Sequence, residues 1–210
     1  PLYSSAASDV YKRQDYDLNI MKAGQTLSEV TSEAMKKLED IIQKEVPDMV
    51  LVHGDTVTTF SGALAAFYSQ TPIGHVEAGL RSYNKYSPYP EEINRQMVGV
   101  MADLHFAPTY NAAQNLVKEG KLAKHIAITG NTAIDAMKYT IDYQYSSSII
   151  QKHKNKNFIL LTAHRRENIG KPMINVFKAI RKLIDEYHDL ALVYPCLLYT
   201  SPSPRDRQKS

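Results

Sequence analysis

The chain has 210 residues, 43% hydrophobic and 22% charged, with a formal net charge of +3 and one cysteine. This is an ordinary globular composition, long enough to bury a core, and the lone Cys196 rules out an internal disulfide or a cysteine-based zinc cluster. Residues 1–14 carry a net +1 and the last 15 a net +2, so the body is neutral and lacks the electrostatic footprint of a nucleic-acid binder.

No uninterrupted apolar stretch reaches the length of a membrane span, and no basic stretch followed by an apolar core opens the chain. A cytoplasmic setting is the simplest reading. Residues 1–14 (PLYSSAASDVYKRQ) and 196–210 (CLLYTSPSPRDRQKS) break sharply in composition from the rest and are read as non-native-looking tails.

From Thr26 onward Leu27, Val30, Ala34, Leu38, Ile41 and Ile42 fall on one helical face, which predicts an amphipathic helix ended by Pro47 and Asp48. Met49 to His53 reads as a short buried strand and Thr56 to Tyr68 as an alanine-rich helix. Pro72 opens a strand that runs into Glu77. Residues 81–90 are a loop with three tyrosines and two prolines. Pro90, Glu91 and Glu92 start a helix to about Ala102, proline and acids standing where a helix start favours them. Next come a strand (Leu104 to Ala107), a helix (Thr109 to Glu119) and a strand (His125 to Thr129). A Gly130-Asn131-Thr132 turn then leads into a helix through about Tyr139. Polar residues 143–157 suit a linker, followed by a strand (Phe158 to Thr162), a helix (Pro172 to Tyr187) and a strand (Leu190 to Tyr194). The expected organisation is one domain over 15–142 and the opening of a second over 158–195. Strands alternating with helices imply parallel sheets with right-handed crossovers, an α/β fold.

Three of these strands end in charged chemistry. His53-Gly54-Asp55 follows the first, Glu77-Ala78-Gly79-Leu80-Arg81 the second, and Thr162-Ala163-His164-Arg165-Arg166-Glu167 the fifth. In open α/β sheets ligands bind beyond the carboxyl ends of the strands. His75-Val76-Glu77 has the His-x-Glu spacing of zinc deaminases but lacks their Pro-Cys-x-x-Cys partner. No His-Glu-x-x-His, phosphate-binding Gly-x-x-x-x-Gly-Lys, Gly-x-Gly-x-x-Gly or Gly-x-Ser-x-Gly occurs. Metal catalysis, nucleotide hydrolysis and dinucleotide binding thus lose their support. Asp55, Glu77, Glu91 and His164, with several arginines, remain, a set suited to proton transfer on a phosphorylated or nucleotide-linked substrate.

Taken singly, each has a plainer explanation. Asp55 is a good N-cap for the next helix, Glu91 and Glu92 are first-turn acids, and His53 and His75 suit core positions. Arg81 can pair locally with an acid, Asn131 and Thr132 make a turn and cap, and the loop tyrosines can serve packing. Repetition at one edge of one sheet favours a site.

Those residues stand in blocks that resemble the non-hydrolysing UDP-N-acetylglucosamine 2-epimerases. The blocks are Tyr16-Asp17-Leu18-Asn19-Ile20-Met21, Gly24-Gln25-Thr26, Val52 to Thr56, Gly74 to Arg81, Tyr86-Ser87-Pro88, Pro90-Glu91-Glu92 through Asn94-Arg95, Ile128 to Thr132, and Thr162 to Asn168. The resemblance covers roughly residues 15–195. It implies Rossmann-like parallel-sheet domains of the glycosyltransferase-B type, here with an N-terminal domain lacking its first strand and an incomplete C-terminal domain. It implies interconversion of UDP-GlcNAc and UDP-ManNAc for polysaccharide biosynthesis, without NAD, another cofactor or a metal, in a homodimer. UDP is eliminated as the C2 proton leaves, and re-adds after protonation on the other face. On this resemblance Asp55, Glu77, Glu91 and His164 are catalytic, and Arg81, Arg165, Arg166 and Glu167 bind substrate. The family's opening strand is not matched by PLYSSAASDVYKRQ, nor its nucleotide-gripping segments by the residues after Pro195, so the chain is expected to be a fragment, inactive by itself and prone to aggregate. Two other readings stay open: a hydrolysing relative that releases ManNAc, and a non-catalytic sugar-nucleotide binding or assembly module.

Overall fold

The computed structural model describes residues 15–22, 24–163 and 170–194, and the chain divides into two compact units after Ile141. In the first unit Thr26 caps α1 (Leu27–Glu45). Its side chain accepts from the Glu29 amide while Glu29 accepts from the Thr26 amide, a reciprocal box that satisfies two otherwise orphaned donors. Then follow β1 (Val50–His53), α2 (Val57–Tyr68), β2 (Ile73–Val76), α3 (Glu91–Met101), β3 (Leu104–Ala107), α4 (Tyr110–Lys118), β4 (Ile126–Ile128) and α5 (Thr132–Thr140). β4 starts one residue later than expected because Ala123–His125 closes a 3-10 turn before it.

All neighbouring strands pair in parallel, in the order β1-β2-β3-β4. Their carboxyl ends therefore share one edge. Parallel pairing places Val50, Val52, Ile73, His75 and His105 on one face of the sheet. That face is covered: Val52 and Ile73 pack with Ile42 of α1, Ala63, Ala65 and Ala66 of α2, and Val98 of α3. A second apolar cluster joins Ala107 to Ala78 and to Ala112, Ala113 and Leu116 of α4. Alanine-rich helix faces let the helices lie close to the strands. The opposite face carries Leu51, Gly74 and Phe106. There a Cβ on Gly74 would lie 2.5 Å from the Leu51 side chain and 3.1 Å from Phe106, so that residue is glycine for lack of space. Leu51 itself stays 63% exposed.

In the second unit, the polar stretch expected as a linker contains a short helix, α6 (Ser148–Lys152), whose Ile150 amide is capped by the Ser147 hydroxyl. β5 (Asn157–Leu160) and β6 (Leu190–Val193) pair in parallel, with α7 (Lys171–Glu186) between them in sequence. Tyr194 Oη donates to the Ala163 carbonyl at 2.8 Å, and its ring lies 5.7 Å from that of Phe177. Two strands are too few to close a core of their own, and Ala191 is the buried hydrophobic residue among those described here. No helix among the described residues is long and apolar enough to cross a membrane.

Candidate active site at the strand ends

β1 ends at His53, and Gly54, at φ +73°, turns the chain while its amide binds the Val76 carbonyl of the neighbouring strand at 3.0 Å. Asp55 follows. The helix cap that its position suggests belongs instead to Thr56, whose hydroxyl accepts from the Thr59 amide at 3.2 Å. Asp55 is thereby left to other partners: its carboxylate accepts from Arg95 Nη2 at 2.5 Å and its carbonyl from Asn94 Nδ2 at 2.9 Å. Both donors come from the first turns of α3.

β2 ends one residue before Glu77, which sits at φ +66°. A non-glycine residue there costs about 1–2 kcal/mol, strain of the kind that recurs where a side chain is re-aimed at a functional site. The Glu77 carboxylate is one third exposed, and its Oε2 lies 3.3 Å from His53 Nε2. A Cβ at residue 54 would stand 3.6 Å from that same oxygen. Asp55 and Glu77 thus flank the Gly54 turn from two adjacent strands. They have unlike partners. One faces a guanidinium, which only donates; the other faces an imidazole, which has a donor nitrogen and an acceptor nitrogen when neutral.

The start of α3 carries two further acids. Glu91 is half-buried in its first turn, one turn ahead of the residues that hold Asp55, with no recorded partner among the described residues. Glu92, by contrast, is fully buried. It accepts from the Ser82 amide at 2.9 Å, the Tyr83 amide at 3.1 Å and Gln96 Nε2 at 2.9 Å, and Arg95 Nη1 stands 3.4 Å away. Burial works against its charge, yet the amide donors of Ser82, Gln96 and Tyr83 hold its carboxyl below the usual carboxylate range. Glu92 fixes the loop that leads to the helix, and Arg95 bridges Glu92 to Asp55.

Arg81 departs from expectation. Its side chain is buried, and the guanidinium makes a two-pronged pair with Glu119 at 2.7 Å on each prong, plus a bond to the Leu80 carbonyl. With its donors so engaged it braces α4 and is no open cation for a substrate. Arg95 is the cation that reaches the acids. His75 is the core histidine expected: fully buried, its Nε2 bonded to the Gly54 carbonyl at 2.8 Å, its pKa pushed down by burial. His53, expected to be its equivalent, is exposed and lies beside Glu77. His105, paired in register with His75, is also buried, and burial together with the positive charge of Lys121 takes its pKa down to about 4.

His164, Arg165, Arg166 and Glu167 lie outside the described residues. Among the described residues no group of three or more His, Cys, Asp or Glu is placed to hold a metal ion. In the sequence Glu92 reads as a first-turn acid of the helix, and Asn94 and Arg95 as polar residues of the next turn, without a sign of what they hold.

Comparison with known proteins bears on the fold and the family. The UDP-N-acetylglucosamine 2-epimerase family matches residues 4–207. The UDP-N-acetylglucosamine 2-epimerase of Bacillus subtilis (strain 168) is 58% identical over 183 residues, 87% of this chain and 48% of that protein. A solved structure of S. aureus MnaA with UDP superposes with a TM-score of 0.80 at 67% identity, over 88% of this chain and 49% of that one. The Neisseria meningitidis UDP-GlcNAc 2-epimerase bound to UDP-GlcNAc gives a TM-score of 0.80 at 42% identity, over 94% and 55%. The chain spans about half the length of the curated relatives it matches. The fold class is α/β, Rossmann-like and of the glycosyltransferase-B type.

Proposed function

The chain belongs to the UDP-N-acetylglucosamine 2-epimerase family, and on that premise we propose that it carries the proton-transfer half of an enzyme interconverting UDP-GlcNAc and UDP-ManNAc. The observation that carries the reading is the meeting of Asp55 and Glu77 around the Gly54 turn, with Glu91 on the helix whose Asn94 and Arg95 hold Asp55. One carboxylate takes the C2 proton as the bond from C1 to the UDP oxygen breaks, which leaves a 2-acetamidoglucal. A second carboxylic acid returns a proton to C2 from the opposite face, and the UDP oxygen re-adds to C1. These roles are divided among Asp55, Glu77 and Glu91. General acid–base groups of this kind typically contribute ~10²–10⁴-fold each. His164, with Arg165, Arg166 and Glu167, is assigned to the nucleotide side, on resemblance. The working enzyme is taken to be a cytoplasmic homodimer with residues 15–142 as its N-terminal domain, and it needs no metal or NAD.

The test is deuterium incorporation at C2 of UDP-GlcNAc in D₂O, followed by mass spectrometry. It is run on this chain and on a version completed to the length of its relatives. Exchange by the completed protein, lost on Asp55→Asn, is the expected result. Tight UDP-sugar binding without exchange would leave a binding module instead. Free ManNAc as the first product would mark a hydrolysing enzyme.

A further inference from the structure

Glu77 does not face solvent alone. His53, the last residue of β1, projects to the face of the sheet opposite the buried Val52. Its side chain is 57% exposed, with Nε2 at 3.3 Å from Glu77 Oε2 and 3.4 Å from the Thr132 hydroxyl. Its Nδ1 has no recorded hydrogen-bond partner among the described residues. Gly54 puts no side chain between Asp55 and the Glu77 carboxylate. The imidazole thus has one nitrogen on the carboxylate, in a side chain more than half exposed.

We propose that His53 is the proton relay of Glu77, resetting its protonation state against bulk water in every turnover. The inference rests on the epimerase reading above. When two acid–base groups invert a carbon, one ends the turnover with an extra proton and the other short of one. Both must be reset before the next substrate. Asp55 is engaged by Arg95, a cation that does not give up its proton. Glu77 instead touches an imidazole, which can take a proton at one nitrogen and release one from the other. In one direction Glu77 Oε2–H transfers its proton to His53 Nε2 while Nδ1 releases one to water; in the other, water protonates Nδ1 and Nε2–H supplies the carboxylate. No proton is lost or gained by the pair over a full cycle. His53 acts through Glu77 and is a positioning and relay residue with no contact to the sugar required of it.

The experiment uses the enzyme completed to its relatives' length, comparing the unsubstituted protein with His53→Ala, His53→Gln, Glu77→Gln and the His53→Ala/Glu77→Gln double variant. Turnover and C2 deuterium exchange are read with and without added imidazole. His53→Ala should lower kcat on the order of 10²-fold with KM for UDP-GlcNAc within about twofold, and imidazole should restore much of the loss. Adding His53→Ala to Glu77→Gln should cost nothing further, because residues that act as a unit do not add. The relay is overturned if His53→Ala and His53→Gln turn over as the unsubstituted enzyme does. It is equally overturned if they lose activity that imidazole leaves unchanged while unfolding remains cooperative. An unsubstituted enzyme that exchanges no deuterium at C2 removes the epimerase reading and the relay with it, an outcome distinct from both.

Discussion

Arg95 reaches forty positions back along the chain to donate to the Asp55 carboxylate at 2.5 Å. Its other terminal nitrogen lies 3.4 Å from the buried Glu92, and its side chain is only 12% exposed. One guanidinium therefore ties the C-terminal end of β1 to the acid in the first turn of α3 that holds the preceding loop. Asp55 is positioned less by its own turn than by a helix that begins far downstream.

Arg95→Lys keeps the charge and loses the planar fork that spans both acids. We expect C2 exchange by the completed enzyme to fall about 10²-fold through misplacement of Asp55. Glu92→Gln removes one acceptor oxygen beneath the Ser82 and Tyr83 amides and leaves a buried donor unpaired, at about 1–3 kcal/mol. Urea unfolding measures the second effect, and proteolysis within residues 82–90 should accelerate with it. A Glu92→Gln midpoint equal to that of the unsubstituted chain would show that the loop is held by something else.

Acid should unfold this unit before its exposed carboxylates alone would demand. His105 is buried with its pKa taken down to about 4 from 6.5, and Lys121, His75, Arg81 and His125 all oppose its protonation. A histidine depressed in the folded state contributes stability that is complete above its unfolded value. That stability is lost as pH falls from about 6.5 toward 4, and is worth on the order of 3 kcal/mol. His75, displaced in the same direction, adds to this loss. Glu92, held below 4.5, adds a further loss under more acid conditions. The urea midpoint should drop between pH 7.5 and pH 5, and a His105→Asn variant should show a shallower drop. Parallel pH curves for the two proteins would sink this account.

Gly79 stands at φ +86°, and a Cβ there would lie 2.2 Å from the Ala112 carbonyl oxygen. Backbone, not a movable side chain, occupies the space. Gly79→Ala must either push α4 off the sheet or leave the left-handed turn after Glu77. Strain and overpacking together amount to about 2–5 kcal/mol. The variant should lose most of its soluble yield at 37 °C and show a clearly lower Tm, and Gly120→Ala, with nothing within 4 Å, serves as the control for a left-handed glycine without the clash.

The element order follows from local signals. Apolar residues three and four apart from Leu27 announce α1, and the structure begins that helix at Leu27. Proline and paired acids announce α3 at Glu91. Each depends on residues three or four apart and needs no knowledge of the rest of the chain. Asp55 was different: a carboxylate before Thr56 fits a helix cap as well as an acid, and local sequence could not choose. The choice lay with Thr56, which took the cap, and with Asn94 and Arg95, which took Asp55.

His53 and His75 make the same point within one sheet. Both precede an acid by two residues at or near the end of an apolar strand, and by sequence alone they read alike. Strand periodicity says that side chains alternate between faces, but not which face helices will cover. α2, α3 and α4 cover the face that carries His75, bury it and turn its imidazole into a support for the Gly54 carbonyl. The opposite face leaves His53 open beside Glu77. The residues alone determined the α/β alternation and the family. Which acid meets which cation, and which histidine meets water, was decided by tertiary packing, because contacts between residues twenty to forty positions apart exist only once the parallel strands align and the helices choose a face.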